Sequence, residues 1–125
     1  MQRDDLIILA VDDDKINLML LKSVLKKTGV VIETITASNG EEAMEVLKTR
    51  DDIDLVLLDI IMPIMGGIEM LQVARADENL RQVPIIVLTT DETKKEEALE
   101  FGANEFLMKP IRKDDLLKKI LSVIV

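Results

Sequence analysis

The most informative segment of the chain is Leu6-Ile7-Ile8-Leu9-Ala10-Val11-Asp12-Asp13-Asp14, in which six apolar residues run directly into three aspartates. An unbroken apolar run of this length is typical of a strand that is buried on both faces, as in a parallel sheet covered by helices. Residues 53–58, which are apolar except for Asp54, and the apolar run at residues 85–88 are two further strand-like segments. These three segments are therefore predicted to be the central strands of a parallel sheet.

Segments with helical periodicity separate the strand-like runs. We predict strands at 6–11, 31–37, 53–58, 85–88 and 105–108. We predict helices at 15–28, 66–76, 93–101 and 113–124, and one more that begins at a Ser38–Glu41 capping box and ends at 48. Five β–α units indicate an α/β protein with a doubly wound, five-stranded parallel sheet and helices on both faces. The second strand alternates apolar and polar residues and so belongs at an edge, which together with right-handed crossovers favours the strand order 2-1-3-4-5.

The composition excludes several kinds of chemistry and of partner. The 125 residues are the size of one domain, so we expect a single domain over residues 1–125. The chain has no Cys and no His, which excludes thiol and imidazole chemistry, and its net charge of −8 is the wrong sign for binding nucleic acid. No apolar run is long enough to cross a bilayer, and Arg3, Asp4 and Asp5 interrupt the start where a signal peptide would begin. We therefore expect a cytoplasmic protein that binds neither membranes nor nucleic acid.

Polar residues follow the predicted strands at the points where these strands end. They are Asp12, Asp13 and Asp14 after the first strand, Asp59 after the third, Thr89 and Thr90 after the fourth, and Lys109 and Pro110 after the fifth. Because the carboxyl ends of parallel strands share one edge of the sheet, these side chains are predicted to meet in one pocket. Carboxylates that lie close together repel each other, and a divalent cation with oxygen ligands, of which Mg²⁺ is the best fit, relieves the repulsion. The sequence thus predicts a magnesium site beside a lysine and a hydroxyl that are placed to meet a phosphoryl group.

Five of these features together resemble the receiver domain of two-component response regulators. They are Asp12-Asp13, Asp59, Met62-Pro63, Thr89 and Lys109-Pro110, and the resemblance covers essentially the whole chain. It implies a flavodoxin-like (βα)5 fold and a phosphorylation-dependent regulator, not an enzyme, that assists its own phosphotransfer and autodephosphorylation. It also implies that a sensor histidine kinase or a histidine phosphotransfer protein supplies the phosphoryl group, and that an effector, which no residue identifies, responds to it.

The resemblance also assigns roles to individual residues. Asp59 matches the phosphoacceptor aspartate, and Lys109 would pair with the oxygens of the phosphoryl group. Thr89 matches the switch hydroxyl, and Phe106 lies where a switch aromatic, often Tyr, rotates inward on activation. The implied ligands of Mg²⁺ are Asp13 directly, Asp12 partly through water, Asp59, and the backbone carbonyl of Ile61. In the family the Lys–Pro peptide bond is usually cis.

The chain departs from the family pattern at two places. Gly66 stands where an aspartate usually caps the third helix, and its loss is expected to cost about 1 kcal/mol or less, because glycine is a tolerable N-cap. The segment from Thr89 to Gly102 is shorter than expected for the family, so the fourth helix is predicted to be short or shifted. Ile61 and Asp91 follow Asp59 and Thr89 by two residues, and the resemblance implies that side chains at these positions tune the lifetime of the phosphoryl group.

Other functions fit these residues less well. A degenerate receiver that binds partners without phosphorylation would not need Asp59, Thr89 and Lys109, but it stays open as the alternative. A flavin carrier would have a Ser/Thr-rich phosphate loop, and a Rossmann-type nucleotide site would have a glycine-rich turn. An aspartyl-phosphate phosphatase would have a second Asp in place of Ile61. Of the remaining acids, Asp14 is interpreted as the N-cap of the first helix, and the three aspartates between residues 51 and 54 as a solvated loop.

Overall fold

Five parallel strands and five helices alternate along the chain, and the computed structural model describes residues 4–124. The strands are β1 (Leu6–Val11), β2 (Val31–Ala37), β3 (Leu55–Asp59), β4 (Ile85–Thr89) and β5 (Glu105–Met108). The helices are α1 (Lys15–Thr28), α2 (Gly40–Thr49), α3 (Gly67–Ala76), α4 (Lys95–Glu100) and α5 (Lys113–Ile124), and a 3₁₀ turn at Glu92–Lys94 precedes α4. The strand order is β2-β1-β3-β4-β5, which confirms the predicted order and the α/β class. The expectation that involves Arg3, and both ends of the expected domain over residues 1–125, lie outside the described residues.

Helices cover both faces of the sheet, and each face has its own apolar core. On one face α1 and α5 pack Leu25, Leu116 and Ile120 against strand residues such as Leu57 and Ile86. The other face is covered by α2, α3 and α4, whose buried residues in the core are Ala43, Met44, Leu47, Met70, Leu71, Ala74 and Ala98. Alternate residues of the central strands enter opposite cores, which is why these strands read as unbroken apolar runs in the sequence.

The burial of the strands accounts for their positions in the sheet. All of the apolar residues of β3 and β4 are buried, whereas β2 exposes Ile32, Glu33 and Thr36. Among the five strands β2 pairs with β1 alone, so its alternating pattern reflects an edge strand with one partner. Across residues 4–124, no helix combines the length and the apolarity that crossing a membrane requires.

Several predicted boundaries were wrong by one or two residues. The N-cap of α2 is Asn39 and not Ser38, because Asn39 Oδ1 accepts the backbone N–H of Glu42 at 2.9 Å while the Ser38 hydroxyl bonds to the Glu42 carboxylate. The third strand runs from Leu55 through Asp59, two residues later at its start than predicted. The third helix begins at Gly67, after Gly66, and the fourth is confirmed as short, with six residues.

Asp54 contradicts its interpretation as part of a solvated loop. Its Oδ2 accepts the backbone N–H of Ile7, and its own N–H donates to the Ile7 carbonyl, both at 2.9 Å. The register of β1 against β2 is irregular between Leu6 and Ile7, and the side chain of Asp54 provides an acceptor for the Ile7 amide at this point. Asp54 therefore supports the start of β1, far from the strand ends that hold the predicted site.

Candidate functional site

The sheet register brings the predicted site residues to one edge. Asp59 pairs with Leu88, and Thr89 with Met108, so Thr89 and Lys109 directly follow these two partners in the next strands. The Lys109 N–H continues the ladder by donating to the Thr89 carbonyl at 2.8 Å. One cavity of about 740 Å³ at this edge is lined by residues at the ends of β1, β3, β4 and β5, among them Asp12, Asp59, Ile61, Thr89 and Lys109.

Three carboxylates form a cluster beside this cavity. One oxygen each from Asp12, Asp13 and Asp59 lies within 4.8 Å of the others. Oxygen ligands of an octahedral Mg²⁺, each at about 2.0–2.1 Å from the ion, are about 3–4 Å apart, so small side-chain adjustments suffice to bring these oxygens onto one ion. Asp12 is buried and Asp13 is exposed, which leaves an open side for water or a substrate oxygen. The donor set and its spacing fit the predicted cation.

Lys109 lies between two of these carboxylates. Its Nζ is 3.0 Å from Asp12 Oδ2 and 3.6 Å from Asp59 Oδ1, and the Lys109 and Asp12 side chains are only 18% and 6% exposed. The other oxygen of Asp12, Oδ1, accepts the backbone N–H of Asp14 at 2.9 Å. Both Asp12 oxygens are therefore engaged within the protein, and Lys109 lies nearer to Asp12 than to Asp59. The Lys109–Pro110 peptide bond is cis, as the resemblance implies.

Asp59 sits in a tightly fitted backbone position at the end of β3. Its Oδ1 accepts the backbone N–H of Ile60 at 3.0 Å. The start of α3 packs directly on this residue, since a Cβ at Gly67 would overlap the Asp59 carbonyl oxygen. Burial raises the pKa of Asp59 above its usual value, the positive charge of Lys109 opposes this rise, and the negative charge of Asp12 adds to it. A cation bound beside Asp59 would favour its ionised form in the same way as Lys109 does.

The segment after Asp59 carries the predicted carbonyl ligand. The Ile61 side chain is 69% exposed at the mouth of the cavity. Gly66 ends this segment as the N-cap of α3, without a side-chain cap, and its φ of −77° and ψ of 174° are extended values that any residue can adopt. The replacement of the usual aspartate therefore removes one capping bond and needs no special backbone at this position.

The predicted switch residues occupy different surroundings. Thr89 is 2% exposed, and its Oγ1 accepts the backbone N–H of Asp91 at 3.2 Å. Asp91 caps the 3₁₀ turn by accepting the backbone N–H of Thr93, and hydrogen bonds from the Thr93 hydroxyl and from this N–H lower the pKa of Asp91. Phe106 pairs with Val87 and is buried in the core under α2, α3 and α4, away from the cavity. The structure thus brings the carboxylates, Ile61, Thr89 and Lys109 together at the cavity, and it places Phe106 in the apolar core and not in the cavity lining.

Two features near the site were not anticipated from the sequence. Three large apolar residues of α1 are exposed, namely Ile16 at 68%, Leu20 at 61% and Met19 at 70%. The 14 residues of α1 place apolar side chains on more than one face of the helix, and the sheet can cover only one of these faces. This pattern in the sequence indicates that some apolar residues of α1 are exposed. The second feature, a contact between Gly40 and Met65, joins segments that are far apart in sequence and has no local signal.

Comparisons with known proteins agree with this geometry. A sequence model of the response regulator receiver domain matches residues 8–121. The transcriptional regulatory protein CpxR of Escherichia coli K12 is 38% identical over 119 residues, which cover 94% of this chain and 48% of CpxR. The chemotaxis protein CheY1 of Helicobacter pylori J99 is 32% identical over 120 residues, which cover 94% of this chain and 95% of CheY1.

A solved structure adds a metal-bound relative. The receiver domain of the sensor histidine kinase PA1611 from Pseudomonas aeruginosa PAO1, which has a magnesium ion coordinated in its active-site cleft, matches with a TM-score of 0.85 and 29% identity. The match covers 95% of this chain and 97% of that one. The chain belongs to the response regulator receiver domain family of two-component systems, whose members are regulators and not classical enzymes. It spans about half the length of CpxR and nearly all of CheY1.

Proposed function

We propose that this chain accepts a phosphoryl group on the Asp59 carboxylate and that phosphorylation changes the face formed by β4, β5 and their neighbouring helices. The observation that carries the proposal is the geometry around Asp59, a carboxylate clustered with Asp12 and Asp13 and 3.6 Å from the ammonium of Lys109. Phosphoryl transfer needs positioning and charge neutralisation more than covalent chemistry from the protein. A carboxylate nucleophile, a cation and a fixed ammonium meet these needs.

In the proposed reaction, a carboxylate oxygen of Asp59 attacks the phosphorus of a phosphohistidine on a partner protein. The new P–O bond forms on Asp59, the P–N bond to the imidazole breaks, and the imidazole nitrogen keeps the electron pair and takes a proton from solvent. We assign the attack to Oδ2, because Oδ1 is held by the N–H of Ile60. The ammonium of Lys109 offsets the negative charge of the transferring group.

The residues that would hold magnesium follow from the same contacts. When bound, the ion supplies neutralisation and orientation of the phosphoryl oxygens. Asp13, Asp59 and the carbonyl of Ile61 would be direct ligands. Asp12 would act through a water, because its two oxygens are engaged by the Asp14 N–H and by Lys109. Magnesium keeps several waters in sites of this kind, which agrees with a small set of protein ligands.

The donor would approach over α1, at the open side of the cavity. Ile16, Met19 and Leu20 form an exposed apolar strip on this helix, and Leu20 also lines the cavity that contains Asp59. The helix carries four lysines and no acidic residue. A helix of the kinase or phosphotransfer protein with an apolar strip and acidic flanks fits this surface in shape and charge, and would place its phosphohistidine beside Asp59.

Phosphorylation by a small phosphodonor such as acetyl phosphate tests the proposal without a cognate partner. Intact mass spectrometry should show one added phosphoryl group when magnesium is present and little or none after chelation. Wild-type protein that gains no mass in either condition would contradict the proposal. It would favour the alternative of a receiver that binds partners without phosphorylation.

Thr89 and Phe106 are the proposed switch. Thr89 Oγ1 would leave the Asp91 N–H, 3.2 Å away, and bond to a phosphoryl oxygen, which loosens the turn before α4 and alters the packing at Phe106 on the neighbouring strand. Phenylalanine has no hydroxyl to bond with in an outward position, and Phe106 is already buried, so we expect repacking in place of inward rotation.

Beryllofluoride with magnesium, a stand-in for the phosphoryl group, should therefore shift the amide resonances of Asp91 and Phe106. The amide of Thr34 on the edge strand β2 is the internal control and should move much less, because β2 is separated from β4 by β1 and β3. Unchanged resonances around Phe106 would exclude it from the switch.

Ile61 is expected to lengthen the life of the acyl phosphate by keeping water away from it. Its apolar side chain lies at the cavity mouth, so Ile61→Asn should speed loss of the phosphoryl group about fivefold, well below the 10²–10⁴ that a positioned general base provides. Ile64→Asn is a matched control, since Ile64 is exposed on the same segment but does not line the cavity. Dephosphorylation time courses measure the effect, and equal rates for wild type and Ile61→Asn would contradict this role.

A further inference from the structure

The first residue of α2 touches the segment that follows the candidate phosphorylation site. Gly40 is buried, and its backbone N–H donates to the Met65 carbonyl at 2.8 Å. A Cβ at Gly40 would lie 2.7 Å from Met65 Cγ and 2.8 Å from the Met65 carbonyl oxygen. Real Cβ atoms do not approach other atoms so closely, so a larger residue at this position would have to displace the Met65 backbone. Helix α2 and residues 60–67 therefore meet at a distance that only glycine allows.

Residues 60–67, which we call the β3–α3 loop, are held at two further points. The N–H of Gly67 donates to the Ile60 carbonyl at 2.8 Å and closes the loop at its base. The N–H of Met65 donates to the Pro63 carbonyl at 2.7 Å, so residues 63–65 form a γ-turn. Its central residue, Ile64, has a φ of 66°, a left-handed value that is strained for a β-branched side chain. A strained turn persists only where its surroundings hold it, and the bond from Gly40 holds Met65 from outside the loop.

We propose that Gly40 is a positioning residue for the cation site. By holding Met65, it fixes the β3–α3 loop and hence the place of the Ile61 carbonyl beside Asp59. The inference rests on the proposed function, in which this carbonyl is a ligand of magnesium. The loop is short and anchored at Asp59, so a shift at Met65 is passed to Ile61 and not absorbed. Groups that orient metal ligands from outside the coordination sphere typically change metal affinity by about 10–100-fold when they are altered.

Gly40→Ala tests the proposal, with Gly29→Ala as the matched control. Gly29 ends α1 with a φ of 76° and has no atom within 4 Å of an added Cβ, so its replacement strains the backbone without pushing on the loop. We expect Gly40→Ala to weaken Mg²⁺ binding about tenfold and to shift the amide resonances of Ile61 and Met62 in the metal-free protein. Gly29→Ala should lower the melting temperature and leave both readouts unchanged. Equal magnesium affinity for Gly40→Ala and wild type would overturn the proposal.

A second measurement needs no variant and serves if Gly40→Ala does not fold. If the loop couples Gly40 to the cation, then by reciprocity magnesium must stabilise the bond from Gly40 to Met65. Magnesium should therefore slow hydrogen exchange of the Gly40 amide more than that of the Glu42 amide, whose acceptor is Asn39 Oδ1 within the same helix start. Equal effects on the two amides would overturn the proposal.

Loss of the cation site and loss of the positioning role would give different results. If the wild type binds no magnesium, or binds it equally well after Asp13→Asn, then the proposed cation site itself is wrong. If magnesium binding depends on Asp13 but neither Gly40 readout responds, then the site stands and only the positioning role of Gly40 is excluded.

Discussion

Asp59→Asn should abolish incorporation of a phosphoryl group while the fold stays intact. The amide has the shape of the carboxylate, and its Oδ1 can still accept the N–H of Ile60 as the carboxylate does at 3.0 Å. The anionic nucleophile is lost, and a neutral amide oxygen does not displace a phosphoryl group from its donor at a useful rate. Intact mass spectrometry after incubation with acetyl phosphate and magnesium measures the result.

The control for this experiment is the same substitution, Asp to Asn, at a position outside the site. Asp51 is exposed and precedes β3, at the opposite edge of the sheet from Asp59, so Asp51→Asn should incorporate phosphoryl groups as the wild type does. Incorporation by Asp59→Asn at the wild-type level would show that another residue is the acceptor. This outcome would contradict the assignment of Asp59.

The same variant gives a pH-dependent readout of the electrostatics of the site. Burial raises the pKa of Asp59, and Lys109 opposes this rise only in part. A carboxyl group whose pKa is raised on folding contributes stability while it is protonated, and this contribution is lost as the pH rises through the raised pKa. The amide of asparagine stays neutral at every pH and so keeps this contribution. In the absence of divalent cations, Asp59→Asn should therefore be more stable than wild type by about 1 kcal/mol at neutral pH. The difference should shrink as the pH falls to 3.8, the ordinary value for aspartate.

Lys109→Met should destabilise the metal-free protein and slow its phosphorylation. The ammonium is 3.0 Å from Asp12, in a pair whose side chains are 18% and 6% exposed, and methionine has a similar shape without charge. Breaking a fully buried pair costs about 3–5 kcal/mol, and we expect about 2 kcal/mol here, because water reaches part of this site. Without the ammonium, nothing fixed offsets the charge of the transferring group, so phosphorylation should slow about 10²-fold. Denaturant unfolding and the mass-increment time course measure the two effects.

Magnesium separates the two roles of this lysine. Lys109 competes with the cation for Asp12 and Asp59, so Lys109→Met should bind magnesium more tightly than wild type and regain more stability from it. Lys119→Met is the control, since Lys119 forms a pair with Glu105 at 3.0 Å whose side chains are 35% and 30% exposed, and its loss should cost about 0.5 kcal/mol. A Lys109→Met protein that matches Lys119→Met in stability, magnesium affinity and phosphorylation would contradict the proposed role.

The sequence predicted the sheet and the location of the site because both depend on local patterns. The apolar runs of β1, β3 and β4 and the helical segments between them require a parallel sheet covered on both faces. The predicted order β2-β1-β3-β4-β5 followed from the mixed polar and apolar sequence of β2, which favoured an edge position, and the structure confirms this order. Once the strands are parallel, Asp12, Asp59 and Lys109 must share one edge, because each directly follows a strand or ends one.

The sequence predicted the structure less well where local residue types allow more than one arrangement. Ser38 and Asn39 are both good N-caps, and the structure uses Asn39, because α2 begins at Gly40 in contact with Met65. Aspartate is a common residue in loops, yet the Asp54 carboxylate accepts the Ile7 amide at the point where the register of β1 is irregular. In each case a contact with a distant segment selects among local options that are nearly equal in energy.

The sequence by itself determined that three carboxylates, a hydroxyl and a lysine gather at one edge of a parallel sheet, since strand direction and spacing suffice for this result. Only the tertiary structure decided that Lys109 lies nearer to Asp12 than to Asp59, and that Gly40 holds the β3–α3 loop through Met65. The physical reason is distance along the chain. The periodicity of a segment indicates which of its faces is buried, whereas the 2.8 Å bond between the start of α2 and the β3–α3 loop depends on how all the layers pack.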